Sequence, residues 1–333
     1  MVSDHHNGSG TKGEAEIAAS GGVETIPRKS VAKRIVSGSV KVAFSFLFLW
    51  FVLDKIGFNN VIDHIAKIPT SYLLGAWVAM VLSLLVSAFR MRYYFNTVGY
   101  KFTVMFSIAL YYIGALLNLA LPGGIGGDGY KAWLFKKYFG LRVRTSVRLL
   151  LSERASGVLL LALFTLVALL LGEGKAHIPY LGSYSVMLLV IGIVMLFPSY
   201  FIAISVLLKE TARIAIGAAG YSFLIQGLVL VCGALLLIGL GADYAYIPDY
   251  IALFLLSNIL AVLPISVGGA GVRELTFLYG SPLLGLPPEF GIAAALLFFG
   301  VYAASCVVAL PFLYGMSRRI NHQARLLNIC KEN

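Results

Sequence analysis

The sequence predicts an all-α polytopic membrane protein: about six transmembrane helices and two re-entrant hairpins, arranged as an inverted repeat. Three observations predict it. The chain is 59% hydrophobic and 12% charged, with a mean hydropathy of +0.87, against about 25% charged residues in soluble domains. Basic residues collect in short loops between apolar runs, the distribution that sets orientation in a membrane. A proline–glycine break also occurs twice inside apolar sequence. Eight plain transmembrane helices are the alternative arrangement.

The two breaks align closely. With Pro122 on Pro264, Gly126 meets Gly268, Gly127 meets Gly269, Gly129 meets Gly271 and Lys131 meets Arg273. A Leu precedes each proline, and Asn118 and Asn258 lie shortly upstream. The prolines are 142 residues apart (264 less 122), a large share of the chain. Proline lacks an N–H and glycine permits unusual dihedrals, so both motifs suit a tight reversal. A duplicated break in two hydrophobic segments points to the substrate site of a transporter built from internal repeats.

Residues 1–35 are rich in Gly, Ser, Ala and charge and read as a disordered cytoplasmic tail. Arg28, Lys29, Lys33, Arg34 and Lys41 then hold the N-terminus in the cytoplasm. Val42 to Leu53 is a short first span, adequate if Lys41 and Lys55 snorkel. The second, Tyr72 to Phe89, ends at Arg90-Met91-Arg92, which read as cytoplasmic. Phe102 to Leu121 has Arg90, Arg92 and Lys101 before it and Lys131, Lys136, Lys137, Arg142, Arg144 and Arg148 after it. Both flanks favour the cytoplasm, so a hairpin that enters and returns resolves the conflict. Irregular backbone at that depth needs protein or a water-filled cavity around it.

Leu149 to Leu171, Tyr184 to Leu208 and Ile214 to Gly241 are the next spans. Ile251 to Val272 holds the second break, and its flanks 243–249 and 281–288 carry no Lys or Arg. It reads as a hairpin entering from the outer face. Phe290 to Met316 is the last span, followed by Arg318, Arg319 and Arg325 inside. The integral membrane domain is thus 36–317, with repeat halves of about 71–171 and 214–316, and 318–333 is a cytoplasmic C-terminal tail.

The net charge of +11 resides in loops, so anionic lipid headgroups, not nucleic acid, are its natural partners. Cys232, Cys306 and Cys330 have neither disulfide nor zinc spacing, and the five His are scattered, so no metal or cofactor is expected. Gly124 to Gly129 matches G-x-G-x-x-G literally, but that fingerprint needs a βαβ unit, and here the flanks are membrane segments. No G-K-[S/T] is present for ATP.

The candidate headgroup cavity consists of Asp128, Lys131, Glu153, Arg154, Arg273, Glu274, Asn118 and Asn258. Asp128 is either an N-cap or, with Lys131, a cavity residue at a helix start, where free N–H groups attract phosphate. Glu153-Arg154 and Arg273-Glu274 are either ion pairs locking helices or sites where arginine binds phosphate. Neighbours on a helix point apart, so each pair serves two different partners. Asn118, Asn258 and Gln226 either bond between helices or contact ligand.

The strings Asn118…Leu-Pro-Gly-Gly-Ile-Gly-Gly-Asp-Gly-Tyr-Lys131, Glu153-Arg154 and Leu263-Pro-Ile-Ser-Val-Gly-Gly-Ala-Gly-Val-Arg-Glu274 resemble the lysylphosphatidylglycerol synthase transmembrane-region family. Arg90-Met91-Arg92 is similar to that family's Arg-Trp-Arg, and Lys131 stands where members usually carry Arg. The resemblance covers nearly all of the chain after the tail. It implies a flippase-type membrane domain of the bacterial inner membrane that translocates an anionic or modified phospholipid, or a polyprenyl-phosphate-linked lipid. Because the chain ends soon after its last span, it is expected to lack the synthase domain and its enzymatic activity. A separate synthase or glycosyltransferase is then a possible partner. The other functions to weigh are an intramembrane lipid-modifying transferase and a non-catalytic partner of a lipid or glycan synthase.

Overall fold

The computed structural model describes residues 58–120, 126–177, 185–208, 212–263, 268–316 and 318–324, and among these there is no strand. The expected first span, the 1–35 tail, most of the C-terminal tail, Pro122 and Pro264 lie outside the described residues. The helices, in order, are α1 (Phe58–Ala66), α2 (Thr70–Thr97), α3 (Val104–Ala120), α4 (Gly126–Phe139), α5 (Val143–Leu171) and α6 (Ser185–Leu208). After them come α7 (Ala212–Gly239), α8 (Ile247–Leu260), α9 (Val272–Leu283), α10 (Pro288–Val307) and α11 (Leu310–Tyr314).

The chain is a polytopic all-α membrane protein. α2, α5, α6, α7 and the α10–α11 run are each long and apolar enough to cross a bilayer. Helices suit that solvent because every backbone bond closes within the segment. α6 shows why the surroundings must be lipid: Val186, Met187, Leu188, Val194, Met195 and Ile202 are all exposed. In water such a face would be an interaction or aggregation surface.

Besides the nine-residue α1, four helices outside the spanning runs are shorter. α3, α4, α8 and α9 have 17, 14, 14 and 12 residues, which is about 18 to 25 Å at 1.5 Å per residue. They form two antiparallel hairpins. Along the first, Phe106 meets Phe139, the Lys131 amine lies over the Tyr111 ring, and the Asn118 amide oxygen accepts the Gly127 N–H near the turn. Along the second, Gly280 packs against Leu253, and Arg273 bonds Asn258.

The break offset also relates the helices. Moved on by 142 residues, the bounds of α2 become those of α7, 212–239. α3, α4 and α5 likewise fall on α8, α9 and α10–α11 to within four residues. α1 and α6 end at Ala66 and Leu208, so the correspondence reaches one helix further back than 71 and 214. Packing repeats as well: α5 lies on α8 as α10 lies on α3, and α5 on α7 as α10 on α2. α2 and α7 form the centre and run antiparallel. Gly75 sits beside Leu235, Arg90 bonds Ser222, and Gly217 sits beside Tyr93. Equivalent helices of opposite direction imply an axis across the bundle, which is an inverted repeat.

One end of the bundle is basic. Arg92 donates to the Phe102 carbonyl, and Gln323 bonds Lys101 and Thr103, bringing these segments to the side of Lys136, Lys137, Arg142 and Arg144. The opposite end is tied by Asp249, whose carboxylate accepts the Glu173 and Gly174 N–H groups. Gly172 must be glycine there, because a β-carbon would lie 2.0 Å from that carboxylate.

Candidate functional site

A cavity of about 310 Å³ opens between the hairpins, at the small end of the range for ligand pockets. Its wall takes Ser83, Ser87 and Arg90 from α2, Glu153, Arg154 and Gly157 from α5, and Gln226 from α7. Ser83, Gly157 and Gln226 lie near the middle of their helices, whereas Arg90, Glu153 and Arg154 lie toward the basic end. The hairpins contribute Tyr111, Asn118, Asp128 and Lys131 on one side, and Asn258 and Arg273 on the other.

Among the described lining residues, Arg90, Lys131, Arg154 and Arg273 face only Asp128 and Glu153. The excess is cationic. Arg154 Nε donates to Asp128 Oδ2 at 2.6 Å, and Lys131 Nζ stands 3.5 Å from Asp128 Oδ1. Asp128 begins α4, yet its carboxylate serves these two cations. Glu153 turns away from Arg154, as helix neighbours must, and meets Arg90 at 3.5 Å. Arg90 also donates to Ser222, which bonds Ser156, joining α2, α7 and α5. Gly157 packs beside this group, where a β-carbon would lie 3.3 Å from Gln226 Nε2 and in ordinary contact with Arg90. The Arg90 Nε is buried without a partner among the described residues.

Lys131 is nearly sealed, with 4% of its side chain exposed. It lies across Gly114, where a β-carbon would strike its Cε at 2.6 Å. Its amine rests 4.3 Å from the centre of the Tyr111 ring, an arrangement that favours a cation over the ring face. Arg273 is held differently. Nε donates to Asn258 Oδ1 at 3.2 Å, Nη1 donates to the Gly268 carbonyl at 2.7 Å, and the guanidinium lies over Phe298. No carboxylate pairs with it among the described residues.

The structure thus brings Asn118, Asp128, Lys131, Glu153, Arg154, Asn258 and Arg273 to one cavity. Glu274 is not on its wall. It is 1% exposed, and its Oε2 accepts the Gly271 N–H at 2.6 Å, closing the start of α9. The reason is the acidic half of a capping box: Gly271, which like Gly268 and Gly269 has positive φ, is the N-cap of α9, and Glu274 as its third residue reaches back to the N-cap N–H. Gly126, Gly127 and Gly129 instead lie in the first turn of α4.

Arg90 corrects the expected end of the second span. α2 does not stop there but continues to Thr97, so Arg90 is a buried wall residue and not a loop marker. Its signal in the sequence was the polar stripe Ser83, Ser87, Arg90, spaced to share one helix face. Tyr111 and Tyr302 also line the cavity and carried no comparable signal. No group of three His, Cys, Asp or Glu is placed to hold a metal ion among the described residues.

Fold and site together define a multi-pass membrane protein whose paired hairpins enclose a charged cavity. A family model described as the lysylphosphatidylglycerol synthase TM region matches residues 38–309, and the chain belongs to that family. The search of curated proteins finds no match.

Proposed function

We propose that this protein carries a phosphate-bearing or otherwise anionic lipid across the bacterial inner membrane. The headgroup passes through the cavity while the acyl chains stay in the bilayer. The observation that carries this reading is the excess of cations around a cavity lined by the interior of the spanning helices. Ionisable groups at membrane depth cost about 2.5–3.5 kcal/mol each on insertion scales and mark substrate pathways. Guanidinium groups bind phosphate through paired donors. The hairpins reverse at the cavity, and this reading places them as re-entrant elements from opposite faces. The basic end of the bundle faces the cytoplasm with both termini.

Both wall carboxylates are engaged with cations. That favours carrying over acid–base catalysis, and any chemistry on the lipid then falls to a separate synthase or glycosyltransferase. The test is transport of labelled anionic lipid in reconstituted vesicles. Wild-type protein is expected to exceed empty vesicles clearly, and Arg273→Ala to reduce the rate at least tenfold with unchanged reconstitution. Rates equal to empty vesicles for every anionic lipid offered would sink the proposal.

A further inference from the structure

We infer that Asp128 is a resident counter-ion occupying the place that a ligand phosphate takes, and that the equivalent station at Arg273 has no such occupant. The inference rests on the lipid-carrying reading above. Asp128 divides its carboxylate: Oδ2 takes Arg154 Nε at 2.6 Å and Oδ1 faces Lys131 Nζ at 3.5 Å. A phosphodiester presents the same motif, two anionic oxygens on one centre, to a guanidinium and an ammonium. The Asp128 and Arg154 side chains are 16% and 31% exposed, so their contact is open to exchange. Lys131 is not free to turn outward, and a buried charge without a partner is costly. It therefore needs an anion beside it in every state, Asp128 or the ligand.

The second hairpin lacks this device. The position 142 residues after Asp128 is Ala270. Among the described residues, Arg273 has no carboxylate in contact: its partners are the Asn258 amide oxygen, the Gly268 carbonyl and the Phe298 ring, and the Glu274 charge acts on it only through space. Glu274, its neighbour, is spent on the Gly271 N–H. The two stations thus differ by one resident negative charge. Arg273 accepts an anion directly, whereas Lys131 and Arg154 accept one only by releasing Asp128. A site that passes ligands on must also let them go. Asp128 does this by returning to the two cations as the phosphate departs, so their charge is never left uncompensated.

The experiment titrates the full chain in detergent with short-chain phosphatidylglycerol and, separately, with inorganic phosphate. Wild type is compared with Asp128→Asn and Ala270→Asp. Removing one negative charge at contact distance should tighten phosphatidylglycerol binding on the order of tenfold, and adding one three residues before Arg273 should weaken it. Vesicle transport by Asp128→Asn should fall in spite of tighter binding, because release slows. A merely structural aspartate would not tighten binding when replaced. Equal or weaker binding by a monodisperse Asp128→Asn protein overturns the inference. If that variant does not fold, Ala270→Asp decides alone, and unchanged affinity overturns it. Should neither probe bind wild type, this inference and the carrier reading fall together. Binding that ignores both substitutions removes only the counter-ion. Tightening for phosphatidylglycerol alone assigns the site to a lipid headgroup, and tightening for both probes assigns it to the phosphate group itself.

Discussion

In the first hairpin a β-carbon on Gly127 would lie 1.9 Å from the Gly114 carbonyl oxygen. In the second, a β-carbon on the equivalent Gly269 would meet Arg273 Nη1 at 2.5 Å and Ala261 Cβ at 2.7 Å, and Gly269 itself has φ of 84°. The residue facing Gly127 is a glycine, whereas the corresponding position in α8 is Leu256. One limb pair therefore closes backbone to backbone. The other closes through a left-handed turn, with Arg273 reaching back to Gly268. The same motif glycine serves close approach in one hairpin and backbone dihedral in the other. What this teaches is that a repeated motif conserves a shape, a reversal beside a cation, and leaves open the physical means of achieving it.

The comparison breaks most visibly at Gly127. Gly127→Ala is expected to prevent closure of α3 on α4, since the obstructing atoms are backbone and cannot rotate away. A cost of about 3 kcal/mol or more is expected, at the upper end of overpacking effects. Gly129→Ala is the control: nothing lies within 4 Å of its β-carbon and the residue is helical. It should be neutral or stabilise by up to about 1 kcal/mol. Thermal unfolding in detergent, followed by elution profile, reads both. A Gly127→Ala protein as stable as wild type would mean that the two limbs do not touch there.

How much of this was legible in the sequence follows from where each cause lies. The reversals, the offset and the cations at Lys131 and Arg273 are local strings, and they were readable. So was the divergence of Glu153 from Arg154, because helix geometry alone sets it. Arg90 was legible only as one member of the stripe Ser83, Ser87, Arg90, because its place on the wall depends on Ser222 and Glu153, both remote in the chain. A basic residue next to Arg92 reads as a flank until its partners are known. Glu274 looked like a cavity group because it adjoins Arg273. Its fate depends on where α9 starts, since with Gly271 as N-cap Glu274 becomes the capping residue, and the positive-φ glycines that precede that start are not written in composition.

The second hairpin gives a prediction of intermediate size. Gly269→Ala places an L-residue at φ 84° and pushes on the Arg273 guanidinium. The dihedral alone costs about 1–2 kcal/mol. The Arg273 side chain can shift but Ala261 Cβ, 2.7 Å away, cannot rotate aside, so the protein should still fold with a clearly lowered unfolding temperature. Transport should suffer more than stability, since Arg273 is the group that moves. This is the reverse of the pattern expected at Gly127, where the fold fails first. A Gly269→Ala protein that loses stability but transports at the wild-type rate would detach Arg273 from the pathway.

The smallest effects sharpen the comparison furthest, because the two asparagines do different jobs from similar places. Asn118 accepts a backbone N–H, that of Gly127, at 2.8 Å. Asn258 accepts from the Arg273 side chain at 3.2 Å and anchors its own amide on the Phe254 carbonyl at 2.9 Å. Each replacement by alanine removes one hydrogen bond from Gly127 or Arg273, worth about 1 kcal/mol net. Asn118→Ala should therefore lower the unfolding temperature by a few degrees and leave anionic-lipid affinity unchanged, since Lys131 keeps Asp128 and Tyr111. Asn258→Ala should unfold at nearly the same temperature yet change affinity several-fold, because Arg273 keeps Gly268 and loses the bond that fixes its Nε. Paired melting and titration measurements on the two variants separate these outcomes. If Asn118→Ala shifts affinity and Asn258→Ala does not, the assignment of a structural amide to the first hairpin and an orienting amide to the second is the wrong way round.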